Sequence, residues 1–126
     1  MRPKTLAEVA QLALNGESFD RCLANFLDEF YASPEADALA DTPPSLAPTL
    51  GESGQVQDAY LAATAEELAR AHRFSVPAWV AAETRKLHHP WFASPLAALR
   101  AVLLLESPAA FRARNLFVSE NALTRA

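Results

Sequence analysis

The chain has 126 residues, 51% of them hydrophobic, and its 11 basic and 15 acidic side chains leave a net charge of −4. That is one domain's worth of chain with enough apolar material for a core, without the lysine and arginine excess from which a small nucleic-acid binder draws most of its affinity. Three glycines, abundant Ala and Leu, one cysteine and no apolar run of about 18 residues argue against a sandwich or barrel, a disulfide framework and a membrane span. The expectation is a cytoplasmic, all-α protein: one domain over 1–126, a compact bundle of five to seven short helices with room for one short C-terminal strand.

The charge is uneven. Residues 1–63 carry 3 basic and 10 acidic side chains, whereas residues 64–126 carry 8 and 5. Either the two halves attract each other within the fold, or the basic half faces a partner.

In chain order, Thr5 with Glu8 forms a capping box, followed by Leu6, Val9, Ala10 and Leu12 and a stop at Asn15-Gly16, which predicts a first short helix. Ser18 caps a second, in which Phe19, Cys22, Leu23, Phe26, Leu27 and Phe30 recur at helical spacing. Ser33-Pro34 reads as the start of a weak third turn. Between 41 and 55, three prolines and two glycines predict a loop. Val56 to Arg73 then reads as a long Ala-rich helix. Ser75-Val76-Pro77 opens a helix holding Trp79 and Val80. Ser94-Pro95 opens another holding Leu96, Leu99, Val102 and Leu103, and Ser107-Pro108 opens a third holding Phe111. Leu116-Phe117-Val118 is β-favourable but has no evident partner strand in the chain.

Reaction chemistry is not visible. Thr5 to Ala13 resembles the first helix of a helix-turn-helix repressor, yet the next helix offers only Arg21 among Glu17, Asp20, Asp28 and Glu29, the wrong charge for reading DNA. His72, His88 and His89 lack the spacing of a metal site, Cys22 lies in an apolar stripe, and neither a glycine-rich phosphate loop nor a Gly-x-Ser-x-Gly elbow occurs. No catalytic residue, metal or cofactor is expected.

The C-terminal third differs in kind, because it mixes aromatic rings with arginines, the residue types that anchor protein interfaces. Trp91, Phe92, Arg112, Arg114, Asn115 and Phe117 are the expected partner-binding residues, with Arg112 and Asn115 spaced to converge on one target. One arginine could instead cap a helix or pair with an acidic group.

Pro77-Ala78-Trp79-Val80, Pro90-Trp91-Phe92-Ala93 and the run from Glu106 to Ser119, together with Phe26-Leu27-Asp28-Glu29-Phe30-Tyr31, resemble the signature of a family of small bacterial helical proteins encoded beside a nucleotidyltransferase-like partner, in an arrangement similar to toxin–antitoxin operons. The resemblance implies a non-enzymatic, antitoxin-like inhibitor of that cognate protein. The acidic N-terminal half would then face the partner's basic substrate channel. The alternatives are an operon regulator touching DNA through Arg70, Arg73, Arg85, Lys86 and the C-terminal arginines, and a homo-oligomeric module in which Trp91, Phe111 and Phe117 fill a subunit interface.

Overall fold

The computed structural model describes residues 2–125. It is all-α apart from one minimal sheet. Helices α1 (Leu6–Leu14) and α2 (Phe19–Ala32) form a hairpin. Its start and turn follow the sequence signals. The Thr5 hydroxyl accepts from the Glu8 amide at 3.0 Å, and the Glu8 carboxylate accepts from the Lys4 amide. Gly16, at φ 98°, closes α1 while the Glu17 amide donates to the Leu12 carbonyl at 3.0 Å, the pairing that satisfies the last carbonyls of a helix. Ser18 caps α2 through the Arg21 amide.

Ser33-Pro34 does not open a helix directly; the single turn α3 spans Asp37–Ala40. The expected loop over 41–55 is a correction. Only its first part is irregular, since α4 occupies Ala47–Leu50 and the long α5 (Glu52–Ala71) begins four residues before the expected start. The breakers occupy positions where they cost little. Pro48 lies in the first turn of α4, where a missing amide loses no bond, and Gly51, at φ 65°, makes the corner between the helices. Gly54 lets α5 pass the Leu46 backbone so closely that a Cβ would stand 2.5 Å from its carbonyl carbon.

Asp58 ties this corner together. Its carboxylate accepts from the Leu46 amide at 2.8 Å and the Ala47 amide at 3.1 Å, capping α4 from within α5. Arg85, also buried, lies 3.7 Å from Asp58, donates to the Pro43 carbonyl and stacks over Trp79. Arg85 sits in two consecutive 3₁₀ turns, Ala78–Ala81 and Glu83–Arg85, where a regular helix was expected after Pro77.

At its far end α5 closes with Arg73 at φ 59°, the Phe74 amide donating to the Ala69 carbonyl at 2.8 Å and the Arg73 amide to that of Arg70. Glycine is the usual occupant of this left-handed position. Arg73→Gly is therefore expected to raise stability by about 0.5–1 kcal/mol, read as a higher urea midpoint at unchanged m-value.

Strands β1 (Trp91–Phe92) and β2 (Leu116–Phe117) pair in parallel, with Trp91 opposite Leu116 and Phe92 opposite Phe117. This corrects the view that Leu116-Phe117-Val118 lacks a partner within the chain. Parallel strands need a crossover, here α6 (Ala97–Glu106) and the single turn α7 (Ala109–Arg112). Ser107 closes α6 through its backbone amide, which donates to the Leu103 carbonyl at 3.1 Å, but its side chain caps neither helix. Its hydroxyl donates to the Leu116 carbonyl at 2.9 Å and accepts from the Val118 amide at 3.2 Å, pinning the crossover to β2.

Two apolar clusters share α5. One packs α1, α2 and α3 around Phe26, Leu61 and Leu68; the other packs Ala59 and Ala63 against Phe111, Leu116 and Val118. Tyr60 and Leu123 pack against both. Burial of each large apolar side chain stabilises the fold by about 1.5–3 kcal/mol. The two charge halves also meet in the fold: Arg125 donates to Asp28 at 2.9 Å, and Arg85 pairs with Asp58.

Candidate protein-binding surface

The expected partner-binding residues separate into surface and scaffold. Arg112 is exposed. Arg114, only 5% exposed, is scaffold: it donates to the Ala110 carbonyl at 2.8 Å and the Val80 carbonyl at 2.9 Å, and pairs with Glu66 at 2.9 Å. Asn115 does not converge with Arg112. α7 ends at Arg112, Asn115 turns left-handed at φ 62°, and its amide donates to the Leu87 carbonyl at 2.7 Å. Phe111 is fully buried. Phe92 and Phe117 stack at 5.1 Å, half-buried, with the Arg100 guanidinium 5.2 Å above Phe92.

Of the cations expected to contact DNA, five are engaged, whereas Arg73 and Arg112 take part in no ion pair among the described residues. Arg70 and Arg114 share Glu66, Lys86 pairs with Glu83, Arg85 with Asp58 and Arg125 with Asp28. Burial raises the Glu66 carboxyl, but the bonds from Arg114 and Arg70 outweigh it and hold the group below the ordinary glutamate range. Among the described residues no group of three or more His, Cys, Asp or Glu is placed to hold a metal ion. Cys22 is buried, and that burial pushes its thiol up, away from the reactive thiolate.

The feature that sequence reasoning missed is α6. Of Leu96, Leu99, Val102 and Leu103, expected together on one helix, only Leu103 is buried, at 7% exposed. Leu105 is 82% exposed and Leu96 61%, and Leu99, Val102 and Leu104 are exposed as well. Arg100 and Glu106 are the only charged residues on this helix, and both are turned to their own fold: Arg100 lies over Phe92, and Glu106 accepts from the Glu120 amide. A helix apolar on all sides belongs in an interior, and this one stands in water. The available signal was the pair Leu104-Leu105, which lies off any single stripe.

Trp91 is the second surface feature. It borders three open clefts, of about 390, 680 and 430 Å³. The largest runs past Glu83, Lys86, His88 and His89, and the smallest lies between α2 and the start of α5. His88 and His89 are exposed, outside the apolar clusters. No described helix is long and apolar enough to cross a membrane. Comparison with protein-family models, curated proteins and solved structures found no match to this chain.

Proposed function

We propose that the protein is a non-enzymatic protein-binding module that docks by inserting α6 into an apolar groove of a partner. The observation that carries the reading is the exposure of five large apolar side chains on and beside one helix. At about 100° per residue, the exposed apolar positions within α6, from Leu104 through Leu105 and Val102 to Leu99, sweep about 220° of the helix circumference. A second helix laid alongside covers a stripe nearer 100° wide. A groove covers the rest, so the occupant is concave and apolar, the helix-in-groove mode of recognition. A helix of about 15 Å paired with its own copy would also fall well below the roughly 800 Å² per partner of a stable interface.

The narrower proposal is inhibition: an antitoxin-like protein that neutralises a cognate, nucleotidyltransferase-like partner. It is supported by the sequence resemblance and by the acidic side chains of the N-terminal half, of which Asp20, Glu35, Asp37 and Asp41 take part in no ion pair among the described residues. The DNA-linked alternative is weakened because five of its cations are already paired with carboxylates.

The test is co-expression with the neighbouring gene product, followed by affinity capture and growth assays. Leu105→Glu is expected to weaken the complex by at least about tenfold, or 1.4 kcal/mol, and to restore the partner's toxicity. Stability of the isolated chain should stay within about 0.5 kcal/mol of the parent, because the side chain is solvent-exposed. Capture unaffected by Leu105→Glu would overturn docking through α6. A homodimer that this substitution converts to monomer would make a second copy the occupant.

A further inference from the structure

We propose that the smallest cleft beside Trp91 is a recognition site for an arginine side chain of a partner protein. The inference stands apart from α6 and rests on what lines the 390 Å³ cleft: Phe19, Tyr60 and Trp91 among its walls, with Asp20 and Glu52 beside them. No lysine, arginine or histidine lines it. Asp20 and Glu52 are exposed and take part in no ion pair among the described residues. In this respect they differ from Asp28, Asp58 and Glu66, each of which is paired within the fold. The Oε1 of Gln57, on the same lining, is enclosed without a hydrogen-bond donor.

Aromatic faces bordered by unpaired carboxylates attract cations twice over, through the negative ring face and through direct charge pairing. Arginine fits better than lysine because its planar guanidinium stacks on a ring while its fork donates to a carboxylate at the same time. Tyr60 meets Phe19 edge-on at 6.2 Å and Phe111 at 4.9 Å, and Trp91 packs against the second apolar cluster from β1, where its backbone N–H donates to the Asn115 carbonyl at 2.8 Å. Burial, reinforced by the charge of Asp20, keeps the Tyr60 phenol protonated, pushed up to about 12. The site is therefore preformed, and a ligand need order only itself.

The experiment uses the full chain and a short blocked peptide, Gly-Arg-Gly, with its citrulline counterpart as the neutral isostere. The chain has two tryptophans, so its two indole N–H resonances report separately, assigned with Trp91→Phe. Expected is a saturable shift of the Trp91 resonance by the arginine peptide, at least about tenfold weaker binding of the citrulline peptide, and loss of the response in Asp20→Asn and in Glu52→Gln. Leu105→Glu should bind the peptide as the parent does, so failure of docking through α6 and failure of the cleft are separate results. Equal shifts with arginine and citrulline, an unchanged response in both carboxylate variants, or no Trp91 shift at all would overturn the proposal.

Discussion

Replacement of Asp58 by alanine is expected to cost about 3–5 kcal/mol, the loss that follows when one member of a buried charge pair is removed and the other stays behind. Asp58 is 2% exposed and serves three groups: the amides of Leu46 and Ala47 and the Arg85 guanidinium. Without it, two amides at the start of α4 lose their acceptor. Burial already pushes Arg85 below its ordinary value, and the Asp58 charge is what opposes that shift. A domain of this size is stable by about 5–15 kcal/mol, so the variant should remain foldable but sit near its midpoint in mild urea. Asp58→Asn, which keeps an acceptor oxygen while losing the charge, should fall between the two. A cost under about 1 kcal/mol for the alanine variant would mean that the α4–α5 corner is held by packing alone. Glu52 opens α5 just beyond that corner, so loosening of the corner should also impair the cleft beside Trp91.

That corner marks where sequence reasoning ran out. Signals that act within one turn were legible: Thr5 with Glu8, Asn15-Gly16 and Ser18 each do what their spacing requires, because donor and acceptor lie three or four residues apart. The helix that Ser107-Pro108 opens does hold Phe111, but the partners of the Ser107 hydroxyl were not legible, because Leu116 and Val118 come near it only once the crossover has folded back. The Pro and Gly residues of 41–55 were read as a loop because the groups that make α4 acceptable, Asp58 and the close approach at Gly54, come from the neighbouring helix. The surface was less legible still. Periodicity finds an apolar face but not what covers it, so Leu103 and Leu105 look alike in sequence and are buried and exposed in the fold. Trp91 was expected at the binding surface and borders three clefts. Its acidic neighbours Asp20 and Glu52 come from α2 and α5, and no spacing rule joins them to it.

Arg112 and Arg114, two residues apart and indistinguishable by type, should separate sharply on mutation. Arg114→Met is expected to destabilise by about 2–4 kcal/mol, because the carbonyls of Ala110 and Val80 lose a charged donor inside the core and Glu66 loses the nearer of its two arginines. Arg112→Ala, at an exposed site without an ion pair among the described residues, should change stability by less than about 0.5 kcal/mol. The acid limb gives an independent check. Glu66 has its carboxyl depressed below the ordinary value of 4.5 in the folded chain, so its contribution is fully present above that value and is lost as the pH falls through the lower folded value. Arg114→Met removes the larger cause of the depression and leaves Arg70 at 3.0 Å, so the decline of stability below pH 4.5 should become shallower without vanishing. Asp28, depressed by its bond to Arg125, contributes equally to both chains and cancels in the difference. Urea unfolding of the two variants and the parent between pH 3 and pH 7 reads all of this at once. Equal losses from Arg112→Ala and Arg114→Met would return both arginines to the surface, and with them a binding role for Arg114.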